Sequence, residues 1–319
     1  MILSVSRRTD IPNYYAEWFI NRLKEGYLYV RNPMNAHQIS KIALSPELVD
    51  CIVFWTKNPE GMMPYLDELQ VYPFYFQFTL TGYGHDIERN IPDKKKVIIP
   101  RFQELSQKIG KERVIWRYDP ILFTERYTKN YHLQAFQQIA ESLCGYTTKC
   151  VISFVDIYQK NKKFLSEVKV QTPSEAELLN FAGQLHKIAE DYGIEMASCS
   201  EKIDLSSCGI GHNCCIDKRL IEQITGNHFE VGKDGNQRKE CGCVESIEVG
   251  SYNTCANGCR YCYATYDACS VQSNICCYDP DSPLLCGAVM EGDKITERKI
   301  KHICDAQMRL EDLFINGTK

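Results

Sequence analysis

Two apolar segments, VIWRYDP at positions 114–120 and CVISFV at 150–155, decide the fold together with the stretch that lies between them. Each is rich in Val, Ile, Phe or Tyr, which is typical of buried strands. Between them, four apolar residues recur at the spacing of one helix face: Leu133, Phe136, Ala140 and Leu143. This strand–helix–strand order predicts a parallel sheet with helices outside it.

The same alternation extends along the first two hundred residues and predicts an α/β fold. Seven segments read as strands: Ile2–Val5, Leu28–Val30, Cys51–Trp55, Phe74–Leu80, Val114–Tyr118, Cys150–Val155 and Ile194–Cys199. An eighth, Ser246–Val249, follows a cysteine- and glycine-rich stretch. Eight strands predict a TIM-like (β/α) barrel, a fold that commonly takes about 250 residues.

Helix signals support this reading and divide the chain. Six apolar residues at helical spacing predict a second helix: Leu178, Phe181, Ala182, Leu185, Ile188 and Ala189. Thr172, Pro173 and Glu175 predict its start.

Shorter helices are expected at Asp217–Thr225 and Thr296–Leu313. The expected organisation is a barrel over 1–245, a closing strand and cysteine loop over 246–268, and a tail over 269–319 packed on the barrel.

Composition narrows the function classes. The chain of 319 residues carries 37 Lys and Arg against 41 Asp and Glu, a net charge of −4. That balance disfavours a dedicated nucleic-acid coat or a polybasic membrane anchor. No apolar run approaches the roughly 18 residues of a membrane span, and the N-terminal stretch lacks the apolar core of a secretory signal. We therefore expect a cytoplasmic protein that binds no membrane, and we do not expect nucleic acid to be its partner.

Polar residues cluster where the predicted strands end. In parallel (β/α) folds the active site gathers at the carboxyl ends of the strands. Five residues at those ends are candidates for binding substrate: Lys57, Arg117, Asp119, Asp156 and Glu201. Arg7, Arg8, Lys57 and Arg117 suit a carboxylate or phosphate; the three acids suit basic groups. An ion-pair layer lining the barrel mouth is the alternative reading for any one of them.

Cysteine is unusually abundant and unevenly placed. Of 17 cysteines, Cys51, Cys144 and Cys150 lie in apolar runs and are expected to be core thiols; the other 14 fall between Cys199 and Cys304. In a reducing compartment such density indicates metal or cluster ligation. The sharpest motif is TCANGCRYCYA at 254–264, in which Cys255, Cys259 and Cys262 have the spacing CxxxCxxC. Three thiolates on one loop suit a four-iron cluster with one open iron better than a closed zinc site.

This loop resembles that of the radical S-adenosylmethionine superfamily. The match covers the three cysteines, the aromatic Tyr261 and the trailing Tyr263-Ala264. The resemblance implies a [4Fe-4S] cluster whose open iron binds S-adenosylmethionine. It also implies reductive cleavage of that cofactor to a 5′-deoxyadenosyl radical, hydrogen abstraction from a small-molecule or peptide substrate, and an electron donor such as flavodoxin or ferredoxin.

One feature departs from the superfamily pattern. Its cysteine loop usually follows the first barrel strand, whereas here the loop follows the last predicted strand. A circular permutation would restore the usual neighbourhood if Ser246–Val249 lay beside Ile2–Val5. The Gly-Gly-Glu run of the superfamily is absent, and Arg7, Arg8 and Asp10 stand there as candidates for binding the cofactor.

The chain also resembles, over nearly its full length, the domain of unknown function 1848 family, which implies no known reaction. Six segments carry this resemblance: 4–10, 54–59, 117–120, 199–201, 215–217 and 241–264.

Four further cysteines, Cys199, Cys215, Cys241 and Cys243, are predicted to form a second four-thiolate site, with Cys208 and Cys214 as substitutes. Their irregular spacing means that only tertiary structure could bring them together. A structural zinc site is the alternative there. For the whole protein, a zinc-dependent barrel hydrolase or zinc-stabilised binding module remains open, in which His212 could serve as a ligand. A nucleic-acid lesion repair lyase is a narrower alternative.

Overall fold

The structure, a computed structural model, describes residues 1–301 and 303–305. Its strands are β1 Ile2–Val5, β2 Tyr27–Arg31, β3 Gln38–Ala43, β4 Cys51–Thr56, β5 Phe74–Thr79, β6 Val114–Ile121, β7 Lys149–Phe154, β8 Glu195–Ser198, β9 Gly211–His212, β10 His228–Phe229, β11 Ile247–Glu248, β12 Lys294–Glu297 and β13 Cys304–Asp305. Its α-helices are α1 Ile11–Tyr14, α2 Ala16–Glu25, α3 Ile99–Ile109, α4 Lys129–Leu143, α5 Lys162–Glu167, α6 Glu175–Asp191, α7 Lys218–Thr225 and α8 Ala268–Cys276.

An eight-stranded sheet in the order β11-β1-β4-β5-β6-β7-β8-β9 forms the centre of the protein. Every neighbouring pair in it is parallel. The α/β class predicted from the alternating pattern is therefore correct. Strand β11 pairs with β1 as predicted, with Leu3 opposite Ile247. Within the described residues no pairing joins β9 to β11, so the sheet is open and the expected closed barrel is not found.

One predicted strand belongs to another sheet, and one strand of the eight-stranded sheet was not predicted. Leu28–Val30 lies in β2, which pairs antiparallel with β3 in a separate sheet of order β12-β3-β2. The eighth parallel strand is β9, only two residues long and containing Gly211. A segment this short carries no hydrophobic periodicity, so its pairing depends on the neighbouring β8 rather than on its own residues.

The two faces of the sheet bury different partners, because successive side chains of a strand point to opposite faces. One face, which includes Phe54, Phe76 and Trp116, packs with apolar side chains of α3, α4 and α6. The other face, which includes Val53 and Tyr75, packs with the cysteine-rich stretch after β9. Helices α3, α4 and α6 therefore cover one side, and the other side is covered by α7 and by the segments that carry Cys215, Cys241 and Cys243.

Some of the predicted helix boundaries are correct and others are wrong. Helix α6 begins at Glu175, and Ser174 caps it in a capping box with Glu177, so the predicted cap at Thr172 is wrong. Asp217 caps α7 as its sequence position indicates. The prediction of a tail helix over Thr296–Leu313 is wrong at its start, because Thr296 lies in β12. Most of the remaining predicted helix lies outside the described residues.

The three early cysteines divide between core and surface. Cys51 and Cys150 are buried in the core as expected, whereas Cys144 is exposed at the end of α4. Among the described residues no helix combines the length and the apolar character needed to cross a membrane.

Candidate functional site

A cavity of about 500 Å³ opens at the carboxyl ends of the parallel strands. Residues in the carboxyl-terminal parts of β4, β5, β6 and β7, or directly after β1, β4, β7 and β8, line it, together with the CxxxCxxC loop and the segment that contains Cys241 and Cys243. A second cavity, of about 580 Å³ beside Met63 and Arg113, has no cysteine or histidine in its described lining. The candidate metal-binding cysteines therefore lie in the first cavity, at the edge of the sheet where parallel (β/α) folds have their active sites.

The CxxxCxxC loop presents all three of its thiols to this cavity. Cys255, Cys259 and Cys262 line it together. Burial raises the pKa of Cys255 to about 12, and the neighbouring Cys262 adds to that rise. Gly258 has a φ of +65°, and a Cβ there would lie 3.1 Å from the side chain of Asn90. Glycine is therefore favoured at the point where the loop turns back between its first two cysteines.

A buried carboxylate, that of Asp10, attaches this loop to the sheet. It accepts hydrogen bonds from Asn257 Nδ2 at 2.9 Å, Thr56 Oγ1 at 2.7 Å and the main-chain N–H of Lys57 at 2.8 Å. It also caps α1 through the N–H of Asn13. Burial raises the pKa of Asp10, and these hydrogen bonds oppose that rise. Asp10 lines the cavity, but four donors already occupy its carboxylate, so its evident role is to hold the loop in position.

A second buried carboxylate supports the loop from the other side. Glu88 forms ion pairs with Lys57 Nζ at 2.7 Å and Lys94 Nζ at 2.5 Å. It also accepts hydrogen bonds from Thr81 Oγ1 at 3.0 Å and from Tyr261 OH at 2.5 Å. Burial raises the pKa of Glu88, but the two lysines outweigh it and hold that pKa below its ordinary value. Lys57, a candidate for substrate binding, is thus paired with a residue that the sequence analysis missed.

Glu88 could not have been singled out from the sequence. It follows β5 in a polar stretch, GYGHDIERN at 82–90, that reads as an ordinary surface loop. The motif did single out Tyr261, the aromatic residue before the last cysteine, whose hydroxyl group reaches this carboxylate.

The four thiols predicted to form a second site also meet at the cavity. Cys199 Sγ lies 3.4 Å from Cys215 Sγ. Cys243 acts electrostatically on the thiols of both Cys215 and Cys241. Its proximity lowers the pKa of Cys241 to about 6. Three separate segments thus bring four thiols together in the order Cys199, Cys215, Cys243 and Cys241. We call this row of sulfurs the four-thiol chain.

Those thiols lie where the two edges of the open sheet approach each other. Cys199 follows β8, Cys215 follows β9, and Cys243 precedes β11. The N–H of Ile216 donates to Cys243 Sγ at 3.3 Å, and the N–H of Val244 donates to the carbonyl of Ile216 at 3.2 Å. These two hydrogen bonds join the segment after β9 to the segment before β11.

Arg117 is buried beneath this second thiol set. Its Nη1 donates to Cys215 Sγ at 2.8 Å and to Gln77 Oε1 at 3.2 Å, and its Nη2 pairs with the carboxylate of Asp119. Burial lowers the pKa of Arg117, but Asp119 and Cys215 outweigh it and raise that pKa well above its ordinary value. Arg117 and Asp119, both substrate candidates, therefore have partners within the protein, and Arg117 supplies positive charge to a thiol.

Arg7 and Arg8 point to different parts of the cavity. The guanidinium of Arg7 lies 5.3 Å from the centre of the Trp55 ring. That of Arg8 lies 4.8 Å from the centre of the Tyr252 ring and donates to the carbonyl of Gly250 at 3.3 Å. Both arginines line the cavity.

The two remaining acidic candidates differ in their access to the cavity. Asp156 lines the cavity and pairs with Arg238 at 2.5 Å. Glu201 is absent from the described lining, and its carboxylate accepts a hydrogen bond from the N–H of Phe154 at 2.7 Å. Burial raises the pKa of Glu201 to about 7.

The substitutes for the second set, Cys208 and Cys214, are absent from the described lining of the cavity. Cys208 Sγ donates to the carbonyl of Leu179 on α6, and His212 is exposed. Cys214 Sγ lies close to Gly242, where a Cβ would approach it to 2.7 Å. Over the described residues, no group of three or more His, Cys, Asp or Glu side chains is arranged as it would be around a single metal ion.

The sequence of the chain matches the model of one protein family. The family described as "Domain of unknown function (DUF1848)" matches residues 2–264. The chain belongs to the DUF1848 family. The match runs from β1 to just beyond Cys262, so all seven candidate thiols lie inside the DUF1848 region. A comparison with curated proteins finds no match to this chain.

Proposed function

We propose that this DUF1848 protein is a radical S-adenosylmethionine enzyme with a second metal site in the same cavity. Cys255, Cys259 and Cys262 would hold a [4Fe-4S] cluster, and the four-thiol chain would hold the second site. The observation that carries the proposal is that seven thiols, in sets of three and four, line one cavity at the strand ends.

The donor set fits such a cluster on two counts. Three thiols on one loop leave one position of a four-iron cluster for another ligand. The loop is also held from two sides by buried carboxylates, Asp10 through Asn257 and Glu88 through Tyr261. When bound, the cluster would supply reductive cleavage of S-adenosylmethionine and, through the resulting radical, hydrogen abstraction. The chain supplies the rest: it binds and orients the molecules at the carboxyl ends of the strands.

The strand order supports a finer reading of the fold within this proposal. We interpret the sheet as a permuted (β/α) barrel in which β11 takes the place of the usual first strand. The contacts of Ile216 with Cys243 and Val244 would bridge the gap between the edge strands. A small molecule or peptide remains the proposed substrate, with an electron donor such as flavodoxin or ferredoxin.

One observation favours a different metal at the second site. The 3.4 Å separation of Cys199 Sγ and Cys215 Sγ is close to the roughly 3.8 Å between thiolates around one tetrahedral zinc ion. A structural zinc at the four-thiol chain is therefore the second candidate there. A zinc hydrolase has less support, because no histidine is found in the described lining of the cavity.

Metal content and cofactor cleavage test the proposal directly. Protein prepared without oxygen should be brown and, with two four-iron clusters, should contain about eight iron and eight sulfide per chain. About four iron plus one zinc would assign zinc to the second site. With dithionite and S-adenosylmethionine it should release 5′-deoxyadenosine and methionine. A colourless protein that contains zinc alone and cleaves no cofactor would refute the proposal.

A further inference from the structure

Among the described residues, five basic side chains line the cavity, and most of them have partners that satisfy their charge. Lys57 pairs with Glu88, Arg117 with Asp119, and Arg238 with Asp156. Arg8 donates to a main-chain carbonyl and lies over an aromatic ring.

Arg7 differs from the others. Its Nη2 atom is buried and has no hydrogen-bond partner among residues 1–301 and 303–305. Its guanidinium makes no ion pair within 4.0 Å in that same range, although Glu248 accepts a hydrogen bond from its main-chain N–H. An unpaired buried N–H of a charged group is costly, so this atom calls for an acceptor from a bound molecule.

The surroundings of Arg7 combine one fixed charge with apolar surface. Its guanidinium is protonated at neutral pH, as arginine is in proteins. The ring of Trp55 lies beside it, and Phe154 and Val155 also line the cavity. A ligand in this cavity would therefore meet a fixed positive charge and several apolar side chains.

We propose that Arg7 is the anchor for the carboxylate of the substrate, a small organic acid with an apolar body. A guanidinium is planar and presents paired N–H donors that match the two oxygens of a carboxylate. This inference rests on the proposed function, since it names the substrate class of the same cavity. It assigns the carboxylate to the substrate rather than to the cofactor because the thiols that act most strongly on the guanidinium of Arg7 are Cys243 and Cys215. The loop contacts the main chain of Arg7, through Tyr263 OH at 3.2 Å from its carbonyl oxygen.

Calorimetric titration of the anaerobic holoenzyme tests this assignment with simple probes. Benzoate carries a carboxylate on an apolar ring, benzamide is its neutral analogue, and inorganic phosphate is an anion of different shape. All three are titrated with and without saturating S-adenosylmethionine. Benzoate should bind in the presence of the cofactor, and benzamide should bind about tenfold more weakly or not at all.

Variants locate the binding. Arg7→Gln should weaken benzoate binding about tenfold or more, and Arg7→Lys, which keeps the charge but loses the planar fork, should lie between that variant and the parent. Arg126→Gln is the matched control, because Arg126 is exposed and pairs with Asp86 outside the cavity lining. Circular dichroism verifies that each variant is folded, and Arg7→Lys keeps the test informative if Arg7→Gln is not.

Four results would overturn the assignment: no probe binds the parent protein, benzoate binding is the same in the Arg7 variants, phosphate binds more tightly than benzoate, or benzoate competes with S-adenosylmethionine. The last result would give Arg7 to the cofactor. Iron content and 5′-deoxyadenosine release on the same preparation separate the two proposals. A colourless, inactive protein with Arg7-dependent benzoate binding would refute the radical chemistry and leave the carboxylate site standing.

Discussion

The two thiol sets share one cavity but are assembled in opposite ways. Cys255, Cys259 and Cys262 come from eight consecutive residues, whereas the other four come from three segments spread over 45 positions, 199–243. The first set is held by buried carboxylates that contact its loop from outside. The second is held by contacts among its own sulfurs and by Arg117. The loop set thus depends little on the sheet edges, while the four-thiol chain is part of what joins them.

The largest effect is expected at the loop set. Changing Cys255, Cys259 and Cys262 together to Ala should reduce 5′-deoxyadenosine release to background, because no thiolate then holds the cluster. The fold should persist, because the loop set does not join the sheet edges. The matched control is the triple Ala variant of the exposed Cys269, Cys276 and Cys277. Parent-level cofactor cleavage in the loop variant would refute the assignment of its cysteines.

The second set should combine metal loss with loss of stability. Cys215→Ser removes the thiol that contacts Cys199, Cys243 and Arg117. Because metal binding is coupled to folding, the free energy of unfolding should fall by roughly 5 kcal/mol or more, along with the metal of that site. Chemical denaturation and metal analysis measure the two effects. Cys144→Ser, at an exposed thiol, is the control. Equal stability of both variants would mean that the four-thiol chain does not hold the sheet edges.

Glu88 provides a sharper test of how the loop set is supported. Glu88→Gln leaves Lys57 and Lys94 buried without their counter-charge, which should cost about 3–5 kcal/mol of stability. Glu60→Gln changes an exposed carboxylate that pairs with Arg101 and accepts a hydrogen bond from Asn58 Nδ2, and it should cost less than about 1 kcal/mol. Denaturation curves compare the two. If Glu88→Gln lost no more stability than the control, the ion pairs of Glu88 with Lys57 and Lys94 would add no stability.

The smallest effect concerns the helical side of the sheet, which neither thiol set should influence. His132 on α4 is fully buried between Tyr118 OH and the carbonyl of Leu122, and burial lowers its pKa from 6.5 to about 4. The unfolded chain therefore takes up a proton below about pH 6.5, whereas the folded chain does so only near pH 4. Stability should fall by up to about 3 kcal/mol as pH drops through this window.

The comparison of His132→Gln with the parent isolates this contribution. The variant should lack that part of the pH dependence, and His37→Gln, at an exposed histidine, should retain it. Denaturation at several pH values between 4 and 7 measures the difference. The expectation fails if the parent and His132→Gln lose stability equally over this range.

The sequence alone determined the parts of the protein whose signals are local. Apolar runs located the central strands, and β1 lies at the predicted Ile2–Val5 because four consecutive buried residues need no distant partner to be recognised. The spacing of Cys255, Cys259 and Cys262 was equally visible, since all three lie on one loop. Even where the pattern misled, at Leu28–Val30, it identified a strand and erred only in its sheet.

Tertiary structure decided what depends on residues far apart in the chain. Two-residue β9 has no periodicity of its own, and pairing with β8 makes it a strand. Glu88 reads as a surface charge until Lys57, Lys94 and Tyr261 surround it. Arg7, Lys57 and Arg117 were equivalent candidates in the sequence. Only the fold distinguishes them, because burial and pairing satisfy two of them and leave the Nη2 atom of Arg7 without an acceptor among the described residues. Periodicity and spacing are properties of neighbouring residues, whereas charge pairing depends on distances that only the folded chain defines.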